Sequence, residues 1–178
     1  TLNTILKIFP DNPELWSTMG DIYLVNLEQY ADSIPFFEKA IENDNQDIHS
    51  LVNLAFAYDK TGQSEIALDL YRKVLEINPS LTDAWNKAAN ILTRAGQYDE
   101  ADMMYDKALE IDPGNAFVMN NKGYALFLAG KFQESVETLQ KAISIDPGYS
   151  SAWKNLGAAL NAMGKNEEAQ AAYAKSDK

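Results

Sequence analysis

A chain of 178 residues with 15 Lys plus Arg against 26 Asp plus Glu carries a formal charge of −11, a field that repels phosphate and argues against nucleic acid or an anionic membrane surface as the main partner. Its hydrophobic and charged fractions, 46% and 23%, are those of a folded protein long enough to bury a core. The absence of cysteine excludes disulfides, thiolate metal sites and cysteine nucleophiles, the single histidine, His49, removes most metal and triad chemistry, and no apolar run approaches the roughly 18 residues that span a bilayer.

The opening stretch TLNTILKIFPD has neither the basic flank nor the small-residue cleavage site of a signal peptide. Leu6, Ile8 and Pro10 repeat the spacing of Leu75, Ile77 and Pro79, so residues 1–12 read as the tail of an earlier helix, cut from a longer array. Residues 13–47 form a first unit, with Trp16, Met19, Gly20 and Tyr23 on one predicted helix and Phe37 and Ala40 on a second. The acidic run ENDNQD at 42–47 lacks the glycine and distant glutamate of a calcium loop and reads as a solvated turn. Residues 48–81 give Leu51, Leu54, Ala55 and Tyr58, then Ala67, Tyr71 and Pro79.

In residues 82–115 the logic is plainest. Trp85, Ala88, Ala89 and Leu92 make one helical face, Gly96 permits a left-handed turn, and Ala101, Tyr105, Ala108 and Leu109 make the face of a second helix. Pro113 ends that helix, because the residue before a proline is pushed out of the α region, and Asn115 or, one unit later, Ser150 is placed to cap the next. Residues 116–149 supply Gly123, Leu126, Leu139, Ala142 and Pro147, and residues 150–178 supply Trp153, Leu156, Gly157, Leu160, Ala169 and Tyr173.

The units share a period. Pro79, Pro113 and Pro147 are 34 residues apart, as are Gly62, Gly96, Gly130 and Gly164. Trp16 to Trp85 is 69, one more than two periods, which locates an inserted residue between Tyr23 and Ala40. With no glycine in that loop, its turn is expected to be displaced, and Pro35 is expected in the first turn of the second helix, where its missing N–H is harmless.

Tryptophan, leucine, glycine and tyrosine on the first helix, then alanine, an aromatic and a closing proline on a 34-residue helix-turn-helix, resemble the tetratricopeptide repeat. Met119, Ser135 and Leu139 depart from the pattern in the fourth unit. The resemblance covers nearly the whole chain and implies an all-α fold, a right-handed α-solenoid of helix-turn-helix tetratricopeptide repeats, as a single array over residues 1–178.

In such repeats positions 4, 7, 8 and 11 of each first helix pack the hairpin, while positions 2, 5, 6, 9, 12 and 13 line a concave inner surface where partners bind. That set is rich in amides, with few acids beyond the first unit, and Lys60, Lys87, Arg94 and Lys154 make it more basic than the chain as a whole. Asn53, Asn121 and Asn155 fall at position 6, where asparagine ladders hold peptide backbones in some family members; an amide both donates and accepts. A dicarboxylate clamp would need lysine at position 5 of the third unit, which is Asn86. Phe117, Tyr124, Phe127 and Leu128 put apolar side chains opposite the packing face of the fourth unit, either buried against neighbouring helices or forming a pocket for a partner's anchor.

The expected groove comprises Asn53, Phe56, Asn86, Lys87, Asn90, Arg94, Phe117, Asn120, Asn121, Tyr124, Phe127, Lys154 and Asn155. No phosphate loop, H-E-x-x-H or nucleophile elbow occurs, so no catalytic residue, metal site or cofactor is expected. The partner is expected to be a protein or peptide, held as an extended segment or a helix, with no nucleic acid and no membrane insertion. Two other readings stand beside it: the recognition arm of a larger enzyme or of a secretion or assembly machine, and a self-assembly module stacking through its open terminal repeats. The compartment stays open, the cytoplasm being favoured.

Overall fold

A computed structural model describes residues 8, 9, 11–26 and 28–176. Leu6 and Pro10, two of the residues read as the tail of an earlier helix, lie outside the described residues. Ten α-helices and no strand are found among those described. In order they are α1 (Pro13–Asp21), α2 (Tyr30–Asn43), α3 (Ile48–Lys60), α4 (Ser64–Ile77), α5 (Thr82–Arg94), α6 (Tyr98–Ile111), α7 (Ala116–Leu128), α8 (Phe132–Ile145), α9 (Ser150–Ala162) and α10 (Asn166–Ser176). A short π-helix, Ile22–Asn26, continues α1.

The chain divides into two compact bodies, Thr1–Ala84 and Trp85–Lys178. In the first, α1 packs on α2, α2 on α3 and α3 on α4. Its core holds Leu24, Phe37, Leu54 and Ala57, with Tyr30, Phe56 and Tyr58 against them. In the second, Tyr105 of α6 donates its hydroxyl to Asn90 of α5 at 2.7 Å, and α7 to α10 pack as successive neighbours. Val136, Leu139, Ile143, Leu156 and Leu160 centre that core. The two helices of a hairpin approach closely: a Cβ added at Gly123 would lie 2.6 Å from Leu139 Cγ.

Each turn is built alike. Gly62, Gly96, Gly130 and Gly164 have φ between 76° and 85°, and the next residue's N–H reaches back five positions: Gln63 to Tyr58, Gln97 to Leu92, Lys131 to Leu126 and Lys165 to Leu160. This closure satisfies carbonyls that the ending helix leaves open. In the first hairpin Gln29 N–H reaches back six, to the Tyr23 carbonyl at 2.8 Å, and Glu28 takes the left-handed conformation at φ 52°. The inserted residue is therefore absorbed between Tyr23 and Gln29, where it widens the end of the helix into a π turn.

Two expectations are corrected. Pro35 is not in the first turn of α2 but inside the helix, its sixth residue. The helix begins earlier because Tyr30 packs edge-on against Phe56 at 5.9 Å and Ser33 is buried, its hydroxyl donating to the Tyr30 carbonyl. Pro35 is tolerated because it and Ala31, whose carbonyl it leaves unbonded, are both exposed to water. Ser150 does not cap α9: it is the helix's first residue, and its hydroxyl donates to the Ser176 carbonyl. Asn115 does cap α7, accepting from Val118 N–H at 3.0 Å.

Candidate functional site

The second body carries an unusual helix. On α7, Phe117, Asn121, Tyr124 and Leu128 follow one another at intervals of four, three and four, which lines them along one side. Phe117 is 55% exposed, Tyr124 44% and Leu128 39%, although Val118 and Ala125 beside the stripe and Leu126 opposite it are already buried. Of the two readings of these rings, burial holds for Phe127 alone: it packs against the core and lies 5.8 Å from Phe132 and 6.4 Å from Tyr124.

Beside this stripe runs a repeated amide pairing. Asn121 Nδ2 donates to Asn86 Oδ1 at 3.0 Å, and Asn155 Nδ2 donates to Asn120 Oδ1 at 2.9 Å. In both pairs the acceptor sits 35 residues earlier and is buried, Asn86 to 1% exposure and Asn120 to 6%. Asn120 also points its Nδ2 at the Tyr149 hydroxyl, 3.4 Å away. Each donor amide has two N–H groups, so Asn121 and Asn155 keep a second N–H beyond the pairing while their side chains are held in one orientation. Asn120, Asn121, Tyr124, Ser151, Lys154 and Asn155 wall a recess of about 450 Å³. Lys154 is exposed, with no ion pair among the described residues.

The other expected residues fall in different settings. Lys87 and Arg94 are exposed on α5, whereas Asn90 accepts the Tyr105 hydroxyl and so braces the hairpin. Burial raises the Tyr105 hydroxyl to about 12, against the Thr93 hydrogen bond and the nearby Arg94 charge, which lower it. In the first body Asn53 Nδ2 donates to Asp21 Oδ1 at 2.9 Å, so this position-6 asparagine is tied to a carboxylate and not to an amide. Phe56 is half-buried beneath Lys60, whose Nζ lies 5.2 Å from the ring centre.

Sequence reasoning missed Tyr149, which lies just outside the helix periodicity, and Lys122, which falls among packing positions. Lys122 Nζ reaches Asp102 at 3.1 Å and also pairs with Asp106, tying α7 to α6. Among the described residues no group of three or more His, Asp or Glu is placed to hold a metal ion, and no helix is long and apolar enough to cross a membrane.

Models of the tetratricopeptide repeat match residues 80–148 and 126–177, which together take in more than half of the sequence. The chain belongs to the tetratricopeptide-repeat family. A third model, subunit 3 of the anaphase-promoting complex, cyclosome, matches residues 26–108. Among solved structures the chain is similar to MamA from Desulfovibrio magneticus RS-1, with a TM-score of 0.86, 18% identity and 92% of each chain covered. It is similar to MamA AMB-1 at a TM-score of 0.78 and 22% identity, over 91% of this chain and 95% of that one. YrrB, described as a TPR protein with an unusual peptide-binding site, aligns at a TM-score of 0.79 and 16% identity, over 99% of this chain and 90% of that one. At these identities the likeness is one of fold, the tetratricopeptide α-solenoid. No relative was found among curated proteins.

Proposed function

We propose that this tetratricopeptide-repeat chain is a docking scaffold whose inner face, over residues 82–178, grips an extended peptide carrying an apolar side chain and some acidic character. The family is one of protein-interaction scaffolds, typically non-catalytic. Within it, five units at 13–47, 48–81, 82–115, 116–149 and 150–178 form a single array.

The observation that carries the reading is the recess of about 450 Å³ between α7 and α9, where three kinds of group converge. Asn121 and Asn155, each already oriented by a buried amide, offer a donor and an acceptor to a peptide bond whatever the ligand's side chains. Tyr124 offers a ring for an apolar anchor, continued by Phe117 and Leu128 along the same helix. Lys154 offers a positive charge at the rim, with Lys87 and Arg94 further along the inner set. Holding the amides in advance lowers the ordering cost of binding.

The test is capture of binding peptides from a random library, followed by titration against the Asn121→Ala/Tyr124→Ala double variant. Loss of a central anchor and its neighbouring amide should weaken binding by about 2 kcal/mol or more while the circular dichroism spectrum is retained. Added salt should weaken it further through the three cations. Unchanged affinity in a folded double variant would move the binding surface elsewhere.

A further inference from the structure

The first body contains a second recess of about 450 Å³, built at the equivalent place in the repeat but with opposite chemistry. In the second body the walls are inner-face residues of α7 and the start of α9. In the first they are Glu14, Ser17, Thr18 and Asp21 of α1 with His49 at the start of α3, joined by Asp44 and Asp47 from the turn between α2 and α3. Four carboxylates line it and no lysine or arginine does.

Ser17 makes this more than an acidic patch. It stands where Asn120 stands in the other recess and is 8% exposed, yet its hydroxyl has no partner among the described residues. The cause is visible on the first helix of the next unit. Asn155 donates back to Asn120, but Asn53, at the matching position, donates to Asp21. Ser17 is left without the partner its counterpart has, facing a recess of negative charge. Its oxygen opens on the recess, where a donor of a ligand can reach it.

The carboxylates are already oriented. Asp21 is held by Asn53 and by His49 Nε2, 2.9 Å from its Oδ2; Asp47 accepts Ser50 N–H at 3.3 Å and Asp44 accepts Gln46 N–H at 3.0 Å. Yet no three of these groups converge closely enough to ligate a metal ion. The charge is spread around the walls, which suits a cation whose donors are also spread. A guanidinium presents five N–H donors in a planar fork, whereas an ammonium presents three from one point.

We infer that the recess formed by Glu14, Ser17, Asp21, Asp44, Asp47 and His49 receives an arginine side chain of a protein partner, its guanidinium pairing with the carboxylates and donating to Ser17 Oγ. The inference does not depend on the peptide groove of the second body.

The test titrates acetyl-Gly-Arg-Gly-amide, with the lysine and glutamate analogues, into the 15N-labelled full chain. The arginine peptide should give saturable shifts confined to residues 14–21 and 44–53, binding at least twofold tighter than the lysine peptide, and the glutamate peptide should give none there. Asp21→Asn should weaken binding at least fivefold. Because that change also releases Asn53 and His49, a second variant on exposed positions, Glu14→Gln/Asp44→Asn, should weaken binding at least threefold with the helical spectrum retained. The Asn121→Ala/Tyr124→Ala variant should titrate like the parent. Shifts that do not saturate or spread to Asp99, Glu134 and Glu167, equal binding by lysine, or unchanged binding in both recess variants would each overturn the assignment.

Discussion

Replacing Glu28 by glycine should stabilise the first hairpin. Glu28 adopts φ 52° at the turn position where the other four hairpins place glycines at 76° to 85°. A side chain in the left-handed region costs roughly 1–2 kcal/mol, because Cβ crowds the following carbonyl. Glycine removes that strain but loses about 0.5–1 kcal/mol more conformational entropy on folding. The net gain is about 0.5–1 kcal/mol. Gly62→Ala supplies the reverse experiment: its φ is 85° and an added Cβ meets nothing within 4 Å, so no clash enters and the same two terms predict a loss of about 0.5–1 kcal/mol. Because a repeat array opens locally, the assay is native-state hydrogen exchange of amides in α1 and α2, where 1 kcal/mol is about a fivefold change in rate. Slower exchange in Glu28→Gly is expected, confined to the first hairpin. Equal or faster exchange there would show that the π turn before Glu28, and not the strained residue, limits the hairpin's stability.

Three further outcomes follow from the packing. Pro35→Ala restores an N–H inside α2 that can reach the Ala31 carbonyl, so exchange from that helix should slow by the equivalent of about 1–3 kcal/mol. Tyr105 has its hydroxyl raised from 10.0 to about 12, chiefly by burial, so the stability it contributes is fully present below pH 10 and lost as pH rises through 12. Urea unfolding at pH 8 and pH 11.5 should show the parent falling toward Tyr105→Phe by about 2 kcal/mol; parallel losses would contradict it. Truncation after Pro147 removes α9 and α10, which pack mainly on α7, α8 and each other, so circular dichroism should retain the helicity of the remaining hairpins; collapse of nearly all of it would contradict a solenoid of local contacts.

Much of the candidate site was legible one residue at a time. Helical periodicity alone puts Asn121, Tyr124 and Lys154 off the packing face, because positions that must be buried repeat every 34 residues and these do not share their composition. What periodicity lacks is the identity of the neighbour across the gap. Asn86 and Asn120 sit in the inner set with Asn121 and Asn155, and nothing local distinguishes them; only the stacking of α7 on α5 and of α9 on α7 makes the first two buried acceptors and the other two oriented donors. Asn53 shares its position with Asn155, yet the carboxylate of Asp21 draws its donor away and leaves Ser17 open.

The sequence by itself determined the fold class, the period, the turn glycines and the existence of one inserted residue, because those rest on backbone limits of glycine and proline and on a 3.6-residue period. Tertiary structure decided where that residue went. The second helix of the first hairpin is held in place by Tyr30 on Phe56 and by buried Phe37 and Ala40, so the excess was pushed back into the end of the first helix, where a π turn and a strained Glu28 absorb it and Pro35 is carried inside a helix that a local reading would have started later.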